Sequence, residues 1–540
     1  MKVPPATWKV SQLRQGDDVR ITSVKPVDRE LETDKVVLRS IPAQLGCEVV
    51  EGVPIRSPEL YEEVLYSDRA LPRQALKEVR GVAPDLGSVW PGSEVRTLVS
   101  QGPTGNRINL TIVGDGYTAE QKGRFFEDAE RITRDLFGEK TFAAYLPLFN
   151  VHAVFVPSRE SGLSDLQSKD TALGLYRSPQ GSKRGIMPGN YQNIERALDL
   201  APATDFPILM ANDDFYGGLG GRYAITSRSE NSGSMVLRHE LGHNFGNVGE
   251  EYDGGGVYDG ANHSHSAEVP WRHWVDGELK VNEAESLVAD YPWQNLQGRP
   301  YRLEFDVPQL QPGQPTRVDV DFSSVGWETP NDVAILLDGQ PVEFRGVYSD
   351  DRSFFRLPGV TALPAGHHAL EIREQVHDGD NVMASIKVNA LAPDYDETPG
   401  KIGAYATFNA WEQHAGYRPT NRDCLMRDMR SLDFCPVDKE NMWQRFLRSV
   451  QLIDAIELGE GPPGKRDVHV RTPRLPGLSI RWFEIGPEGQ KRELEFLRGA
   501  RRWHAPADQK GSFEVQVEFR TPEVRQVTDE FTSRKSFALG

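Results

Sequence analysis

The segment HELGH, residues 239–243, contains the residue types of a metal-dependent hydrolase. Its two histidines stand four positions apart, so on a helix both imidazoles share one face and can reach one metal ion. The spacing is typical of zinc sites. A bound zinc ion lowers the pKa of a water molecule and polarises a carbonyl group. Glu240, next to the first histidine, can act as the general base. The motif predicts zinc-dependent hydrolysis of peptide bonds, with His239 and His243 as metal ligands.

The third metal ligand must come from outside this segment, because a catalytic zinc usually has three protein ligands. In the longer pattern HExxHxxGxxH the third ligand comes ten residues after the first histidine, where this chain has Gly249, which has no side chain. Asn247 can end the helix in a left-handed conformation. Glu250 and Glu251 follow, and both are close enough to return to the metal. Glu250 is the predicted ligand and Glu251 is the alternative.

Strands and capped helices are predicted around this motif. Apolar runs of strand length lie at 108–113, 151–156 and 208–211. Thr118 and Gln121 have the spacing of a capping box, which predicts the start of an amphipathic helix. A glycine-rich turn at 217–221 follows the third run, and serines at 232 and 234 can cap the helix that carries HELGH. The pattern is that of a mixed α/β domain.

Four stretches of the chain resemble the M64 metallopeptidases, the IgA-peptidase-like family. HELGHNFGNVGEEY is similar to the family signature, in which the helix motif leads into a short loop and an acidic-Glu-Tyr triplet, matched here by Glu250, Glu251 and Tyr252. The other similar stretches are NRINLTIVGDGYT at 106–118, FNVHAVFVPSRESG at 149–162, and RPTNRDCLMR followed by FCPV at 418–437. The chain departs from the family pattern at Glu250, where aspartate is usual, and at Asn247, where glycine is common.

The resemblance implies a metzincin-like zinc endopeptidase with one catalytic zinc and a protein or peptide substrate. It places Glu250 at the first acid of the triplet, as third ligand, and Met426 in a Met-turn beneath the zinc histidines. Because the matched stretches are separated by all-β sequence, that sequence is interpreted as an insertion.

The predicted fold is therefore multidomain, an α/β metzincin-like catalytic domain with β-rich, sandwich-like accessory domains. Alternation of apolar and charged residues with a period of two indicates strands within 297–393 and again beyond 466. GEGPPGK at 459–465 has the composition of a linker. The predicted domains are an N-terminal β-rich domain (1–95), the first catalytic part with the HELGH helix (96–296), the inserted domain (297–393), the second catalytic part with the Met-turn and a helix from Pro436 (394–458), and a C-terminal β-rich domain (466–540).

Two further signals concern the substrate. Arg222, Tyr223 and Ala224 lie in a predicted strand, which at a sheet edge could hold an extended peptide by strand addition. Tyr417 is a candidate hydrogen-bond donor to the transition state, with a structural role as the alternative.

Other residues raise the question of a second cation and of a disulfide. Asp378 and Asp380 flank a glycine and could bind calcium, although such a triplet is more often a turn. Cys424 and Cys435 lie close in sequence and could form a disulfide in an oxidising compartment, which would leave Cys47 alone.

Composition limits the classes of partner. Acidic residues outnumber basic ones by 79 to 62, so the chain is a poor candidate for non-specific binding of nucleic acid. No apolar run approaches the roughly 20 residues of a membrane span. The N-terminal segment lacks the apolar core of a signal peptide, so an intracellular location stays open beside the expected secreted, periplasmic or cell-surface one.

Two alternative functions stay open at this point. One is a zinc hydrolase acting on an amide outside proteins. The other is a protein whose β-rich domains bind a glycan or a surface partner around a vestigial zinc site. Glu240 argues against the second, because a binding protein has no need of the base.

Overall fold

The structure is a computed structural model that describes residues 7–15, 18–27, 33–42, 44–45, 60–67, 70–72, 90–138, 140–177, 185–255, 258–357, 362–409, 411 and 413–540. These residues form seven β-sheets and four α-helices. The helices are α1 (Lys122–Phe137), α2 (Tyr191–Leu198), α3 (Gly233–Gly246) and α4 (Pro436–Ser449). In this part of the chain no helix combines the length and the hydropathy needed to cross a bilayer.

The first strands build an antiparallel sheet with the order β2-β1-β5-β3. The strands up to residue 99 are β1 (Thr7–Gln15), β2 (Asp18–Val27), β3 (Lys35–Pro42), β4 (Gln44–Leu45), β5 (Leu60–Ser67) and β6 (Glu94–Val99). Lys9 on β1 forms an ion pair with Asp205, which joins this sheet to the next part of the chain. Cys47 lies outside the described residues.

A seven-stranded sheet with the order β4-β10-β11-β9-β7-β8-β6 carries the residues that precede the motif helix. Its further strands are β7 (Ile108–Asp115), β8 (Phe149–Phe155), β9 (Phe206–Ala211), β10 (Gly218–Gly221) and β11 (Ala224–Ser227). The neighbours β11, β9, β7 and β8 run parallel and are buried throughout, as expected for strands covered on both faces. The three apolar runs predicted as strands are confirmed by β7, β8 and β9.

The local signals for α1 and α4 are also confirmed. The amide N–H of Thr118 donates to the side chain of Gln121 at 3.0 Å, and α1 begins directly after this capping box and a single 3-10 turn. Helix α4 has Pro436 in its first turn, where a missing N–H costs nothing. The helix ends at Ser449.

The inserted segment folds into two antiparallel sheets. Its strands and those just before it are β12 (Val281–Asn282), β13 (Ala284–Asp290), β14 (Gln294–Asn295), β15 (Tyr301–Val307), β16 (Thr316–Val325), β17 (Val333–Leu337), β18 (Gln340–Pro341), β19 (Arg345–Gly346), β20 (Ser353–Arg356), β21 (Ala362–Leu363), β22 (Gly366–Glu374) and β23 (Val382–Leu391). One sheet has the order β13-β23-β16-β20-β19 and the other β15-β22-β17-β18. Phe322 and Ile386 from the first share a core with Phe305 and Ile372 from the second, so the pair is a sandwich. Its first strand, β13, starts before residue 297.

The last part of the chain forms a small sheet and a second β-rich unit. Its strands are β24 (Ala404–Phe408), β25 (His414–Arg418), β26 (Ala455–Glu460), β27 (Lys465–Arg471), β28 (Leu478–Ile485), β29 (Lys491–Glu493), β30 (Arg502–Pro506), β31 (Gly511–Phe519) and β32 (Thr532–Leu539). The linker predicted at 459–465 is wrong, because these residues form the hairpin between β26 and β27. Pro462 and Gly464 supply its turn, closed by the bond from Lys465 N–H to Pro462 O at 2.9 Å. Turn and linker share a composition, so composition could not separate them.

Candidate metal centre

Helix α3 places the two histidines of HELGH on one face. It follows β11 closely, and its apolar side chains Leu237, Leu241 and Phe245 are buried in the core beneath it. Asn247 ends it in the left-handed conformation, with φ 50° and ψ 51°, and donates its N–H to the carbonyl of the second histidine at 2.8 Å. The helix end predicted at Asn247 is confirmed, and the chain turns back toward the histidines there.

Glu250 meets both histidines after this turn. One carboxylate oxygen lies 3.1 Å from Nε2 of His239, and the other lies 3.4 Å from Nε2 of His243. All three side chains are buried, and their ligand atoms lie within 4.8 Å of one another. Two imidazoles and one carboxylate are a donor set that suits zinc.

The outer nitrogens of the imidazoles face backbone carbonyls. Nδ1 of His243 lies 2.7 Å from the carbonyl oxygen of Val248, and Nδ1 of His239 lies 3.5 Å from that of Leu425. A carbonyl oxygen only accepts, so Nδ1 of His243 carries the proton and Nε2 is left to face Glu250. This arrangement orients the rings as metal ligands require.

The charges of this cluster attract a cation. Burial alone would lower the pKa of His243, but the carboxylate of Glu250 raises it to about 9. Burial likewise opposes ionisation of Glu250, yet the two histidines hold the pKa of that carboxyl well below its usual range. A divalent ion among the three side chains would take the place of the proton that favours the pairing of His243 with Glu250. The residues present therefore fit a metal ion.

Glu240 and Tyr252 lie next to the group formed by His239, His243 and Glu250. Glu240 is half-buried and lines the cleft above it. The hydroxyl of Tyr252 donates to Glu250 at 3.0 Å, and its ring lies 5.9 Å from that of His239. Tyr252 also lines the cleft. Sequence reasoning placed Tyr252 in a motif but gave it no part in the site, although its position two residues after Glu250 was a usable signal.

Met426 lies beneath the histidine helix in a tight turn. The turn is closed by bonds from the N–H groups of Arg427 and Asp428 to the carbonyl of Cys424, at 3.0 and 2.8 Å. A Cβ atom at Gly242 would lie 2.7 Å from the sulfur of Met426 and 2.8 Å from the ring of Phe434. The glycine of HELGH therefore allows the turn to approach the helix closely.

We expect Gly242→Ala to destabilise the protein. The added methyl group meets Met426 and Phe434, and overpacking of this kind costs about 1–3 kcal/mol, more than the gain of up to about 1 kcal/mol in helix propensity. Gly123→Ala in α1 is the matched control, because a Cβ there meets nothing within 4 Å and should stabilise slightly. Urea unfolding of both variants measures the difference. An equal gain in both would contradict the close approach at Gly242.

Glu251 points away from the histidines. Its Oε1 accepts a hydrogen bond from Asn262 at 3.0 Å, and the same oxygen lies 4.0 Å from the sulfur of Cys435. Burial raises the pKa of Glu251 to about 7. Of the two glutamates left open by the sequence, Glu250 is the one that the structure brings to the histidines.

The inserted sandwich forms one wall of the cleft. The cavity has a volume of about 340 Å³. Residues of α3, of β10 and of the Glu250–Tyr252 segment line one side of it. Side chains from the insert and from the segment after Met426 line the other side: Asp321, Phe322, Arg352, Phe354, Phe355, Arg356, Ser385, Lys387, Arg427, Asp428, Met429 and Arg430. No motif residue of the site was predicted within the insert.

Asp351 of the insert forms hydrogen bonds to residues at and before the start of α3. Its carboxylate accepts hydrogen bonds from the hydroxyl of Ser229 at 2.7 Å, from the hydroxyl of Ser232, and from the N–H of Tyr216 at 2.8 Å. Asp351 is 1% exposed. A buried carboxylate at a helix N-terminus interacts favourably with the helix dipole. The insert and the motif helix are thus positioned together.

The residues predicted to bind substrate lie elsewhere. Arg222 forms an ion pair with Glu195 at 2.6 Å, the hydroxyl of Tyr223 bonds to the same carboxylate, and Ala224 is buried in the interior strand β11. None of the three lines the cleft, which is bordered instead by β10 at residues 218–220. The glycine-rich sequence of β10 concealed its strand character, so the alternating residues after it were taken for the edge.

Tyr417 and the calcium triplet are also away from the cleft. Tyr417 donates to Glu283 at 2.8 Å, and burial together with that carboxylate raises its pKa to about 12. Asp378 accepts a bond from Asn381 at 2.8 Å within a turn. In the part of the chain that the structure describes, convergent metal-ligating groups occur at two places, and neither includes Asp378 or Asp380.

The predicted disulfide is not formed in this structure. Cys424 and Cys435 are both buried free thiols. The thiol of Cys424 donates to Asp438 at 2.9 Å, and the N–H of Cys435 donates to the sulfur of Cys424 at 3.3 Å. Their closeness in sequence brought them together, but carboxylates share the space between them.

A comparison with protein families bears on these residues. The sequence model of the IgA peptidase M64 family matches residues 97–296, which include the HELGH helix and the Glu250–Tyr252 segment. The match supports an M64 family peptidase in this part of the chain. The matched part ends before the insert and before Met426, so the second wall of the cleft lies outside it.

Comparisons with individual proteins add little to this assignment. No curated protein matches the chain significantly. Among solved structures, a β-glucuronidase from Ruminococcus gnavus shows 9% identity over 44% of this chain and 36% of its own, with a TM-score of 0.12. A cycloisomaltooligosaccharide glucanotransferase from Paenibacillus sp. shows 9% identity over 49% and 42%, also with a TM-score of 0.12. The chain spans less than half the length of either, and at such TM-scores the likeness carries no argument.

Proposed function

We propose that the protein is a zinc-dependent endopeptidase with a metzincin-like catalytic domain. The observation that carries this proposal is the convergence of His239, His243 and Glu250 at the floor of a cleft that Glu240 also lines. Catalytic zinc sites of hydrolases use three protein ligands and keep a fourth position open. The open side of this triad faces a cavity with room for part of a peptide chain.

The three proposed metal ligands and Glu240 have separate roles in hydrolysis. A zinc ion held here would supply Lewis acidity, polarising the scissile carbonyl and lowering the pKa of a water molecule. Glu240 accepts the proton of the attacking water and passes it to the departing amine. Tyr252 holds one oxygen of Glu250, and the carbonyl of Val248 holds His243, so that both ligands keep their orientation.

We assign residues 96–296 and 394–458 to one catalytic domain, which the sandwich interrupts. Two kinds of contact support this assignment. Met426 packs beneath Gly242 of the motif helix. Arg445 on α4 donates to the carbonyl of Phe245 at 2.9 Å, and Asn441 donates to that of Gly246. The second part therefore supports the helix that carries the metal ligands.

Metal removal tests the proposed function. We expect chelation to abolish cleavage of peptides by the purified protein and zinc, but not magnesium, to restore it. Mass spectrometry of a proteome-derived peptide library then shows where cleavage occurs. Cuts at internal bonds identify an endopeptidase, whereas removal of single terminal residues would contradict that part of the proposal. Full activity of the metal-free protein would contradict the metal requirement.

The wall formed by the insert should affect substrate binding rather than metal binding. Phe354 is half-buried and lines the cleft, so Phe354→Ala removes apolar contact with the substrate. A loss of about 1–2 kcal/mol of such contact corresponds to a rise in KM of about 5–30-fold. Val347→Ala is the matched control, because Val347 belongs to the same sandwich but is 71% exposed and does not line the cleft. Unchanged peptide kinetics in Phe354→Ala, with zinc retained, would exclude this wall from substrate binding.

A further inference from the structure

A second cluster of metal-ligating side chains lies beside the Met426 turn, in the interior of the protein. It consists of Glu251, Cys424, Cys435 and Asp438, each between 0 and 1% exposed. One ligand atom from each lies within 4.8 Å of the other three. None of the four lines the cleft, so the cluster is separate from the histidine triad although Glu251 and Glu250 are neighbours in sequence.

The separations within the cluster are close to those of a four-coordinate site. Bonds of 2.0–2.3 Å to a tetrahedral zinc place the ligand atoms roughly 3.3–3.8 Å apart. The sulfur of Cys424 lies 2.9 Å from Oδ2 of Asp438, and the sulfur of Cys435 lies 4.0 Å from Oε1 of Glu251. One distance is shorter than the ideal and the other is longer, so a central ion needs only small shifts.

Two carboxylate oxygen atoms of the cluster are buried without a hydrogen-bond partner among the described residues. Oε2 of Glu251 and Oδ1 of Asp438 are fully buried and have no hydrogen-bond partner among the residues that the structure describes. A buried polar atom left in this way costs free energy unless it is bonded or bound to a cation. Two such atoms beside two buried sulfurs form an environment that favours a cation.

We propose that Glu251, Cys424, Cys435 and Asp438 bind a second, structural zinc ion. Zinc accepts thiolate sulfur and carboxylate oxygen together, and four protein ligands leave no open position for chemistry. Two thiolates and two carboxylates exceed the charge of the ion by two, as four thiolates do in other structural zinc sites. The buried guanidinium groups of Arg418 and Arg427, which also pair with Asp253, act on Glu251 and offset part of this excess.

Such an ion joins three segments that position the proposed catalytic site. Glu251 follows Glu250 directly, Cys424 begins the turn that contains Met426, and Cys435 and Asp438 belong to the start of α4. The N–H of Glu251 already donates to the carbonyl of Met426 at 3.1 Å. A zinc ion here fixes the third ligand, the turn and the supporting helix relative to one another.

Metal analysis of the reduced, full-length protein tests the proposal without reference to activity. We expect two zinc ions per chain in the wild type. Refilled with Co²⁺, the wild type should show the near-ultraviolet charge-transfer absorption of thiolate bound to cobalt. The double variant Cys424→Ser/Cys435→Ser should lose one metal ion and this absorption, whereas His239→Ala/His243→Ala should lose one ion and keep it. Cys47→Ser is the matched control and should keep both ions.

The wild-type measurements decide the question even where a variant does not fold. One metal ion per chain with no thiolate–cobalt absorption would overturn the second site. So would a disulfide between Cys424 and Cys435 in protein isolated with its metal and without reductant. Failure of peptide cleavage alone would instead count against the proposed endopeptidase function, because this site takes no part in the chemistry.

Discussion

Glu240→Gln should reduce kcat by about 10²–10⁴-fold, the usual contribution of a general base, while the protein keeps its metal. Glutamine has nearly the same shape as glutamate but cannot accept the proton of the attacking water. The three proposed ligands are unchanged, and the half-buried position of Glu240 in the cleft tolerates an amide. Steady-state kinetics on an internally cleaved peptide and elemental analysis measure the two effects separately.

The exposed Glu230, just before α3, offers a matched control for Glu240. Glu230→Gln makes the same chemical change outside the cleft and should leave kcat unchanged. A Glu240→Gln variant that retains more than about a tenth of the wild-type kcat would refute the role of general base. A general base contributes at least about 100-fold to the rate, so its loss should lower kcat by more than tenfold.

Glu250→Ala should weaken zinc binding at the histidine site by more than about 100-fold, because the loss of a ligand exceeds the 10–100-fold loss typical of its supporting residues. Truncation removes both oxygens that lie 3.1 and 3.4 Å from the imidazoles. Competition with a chromogenic chelator measures the affinity, and peptide cleavage should fall in parallel.

Tyr252→Phe is the natural comparison for Glu250→Ala. It removes only the hydroxyl that donates to Glu250. The zinc affinity should therefore fall by no more than about 10–100-fold, and the metal should stay bound. If Tyr252→Phe and Glu250→Ala weaken binding equally, Glu250 is not a ligand. If Glu251→Ala instead empties the histidine site while Glu250→Ala does not, the assignment of the two glutamates is reversed.

Features that depend on neighbouring residues could be predicted from the sequence. The capping box at Thr118, the proline at the start of α4 and the left-handed helix end at Asn247 follow from local backbone chemistry. The HELGH spacing likewise fixes which face the histidines share, whatever the rest of the fold. These signals placed the helix and its break, and hence the segment in which a third ligand had to lie.

Features that depend on distant residues could not be predicted in this way. Asp351 is more than a hundred residues from Ser229 and Ser232, and no periodicity links them. Cys424 and Cys435 were close enough to suggest a disulfide, but they share their pocket with Asp438 and with Glu251, which comes from a distant part of the chain. Pairing rules based on spacing cannot detect a third or fourth partner brought in by packing.

The position of the sandwich between the motif helix and the Met426 turn sets an order on their synthesis. His243 leaves the ribosome about 180 residues before Met426, which at about 5–20 residues per second is a delay of roughly 10–40 s. During that interval the motif helix lacks the turn beneath it and α4 beside it, whereas the sandwich with Asp351 emerges before either of them. A nascent chain therefore completes the sandwich wall of the cleft before the elements that support the motif helix.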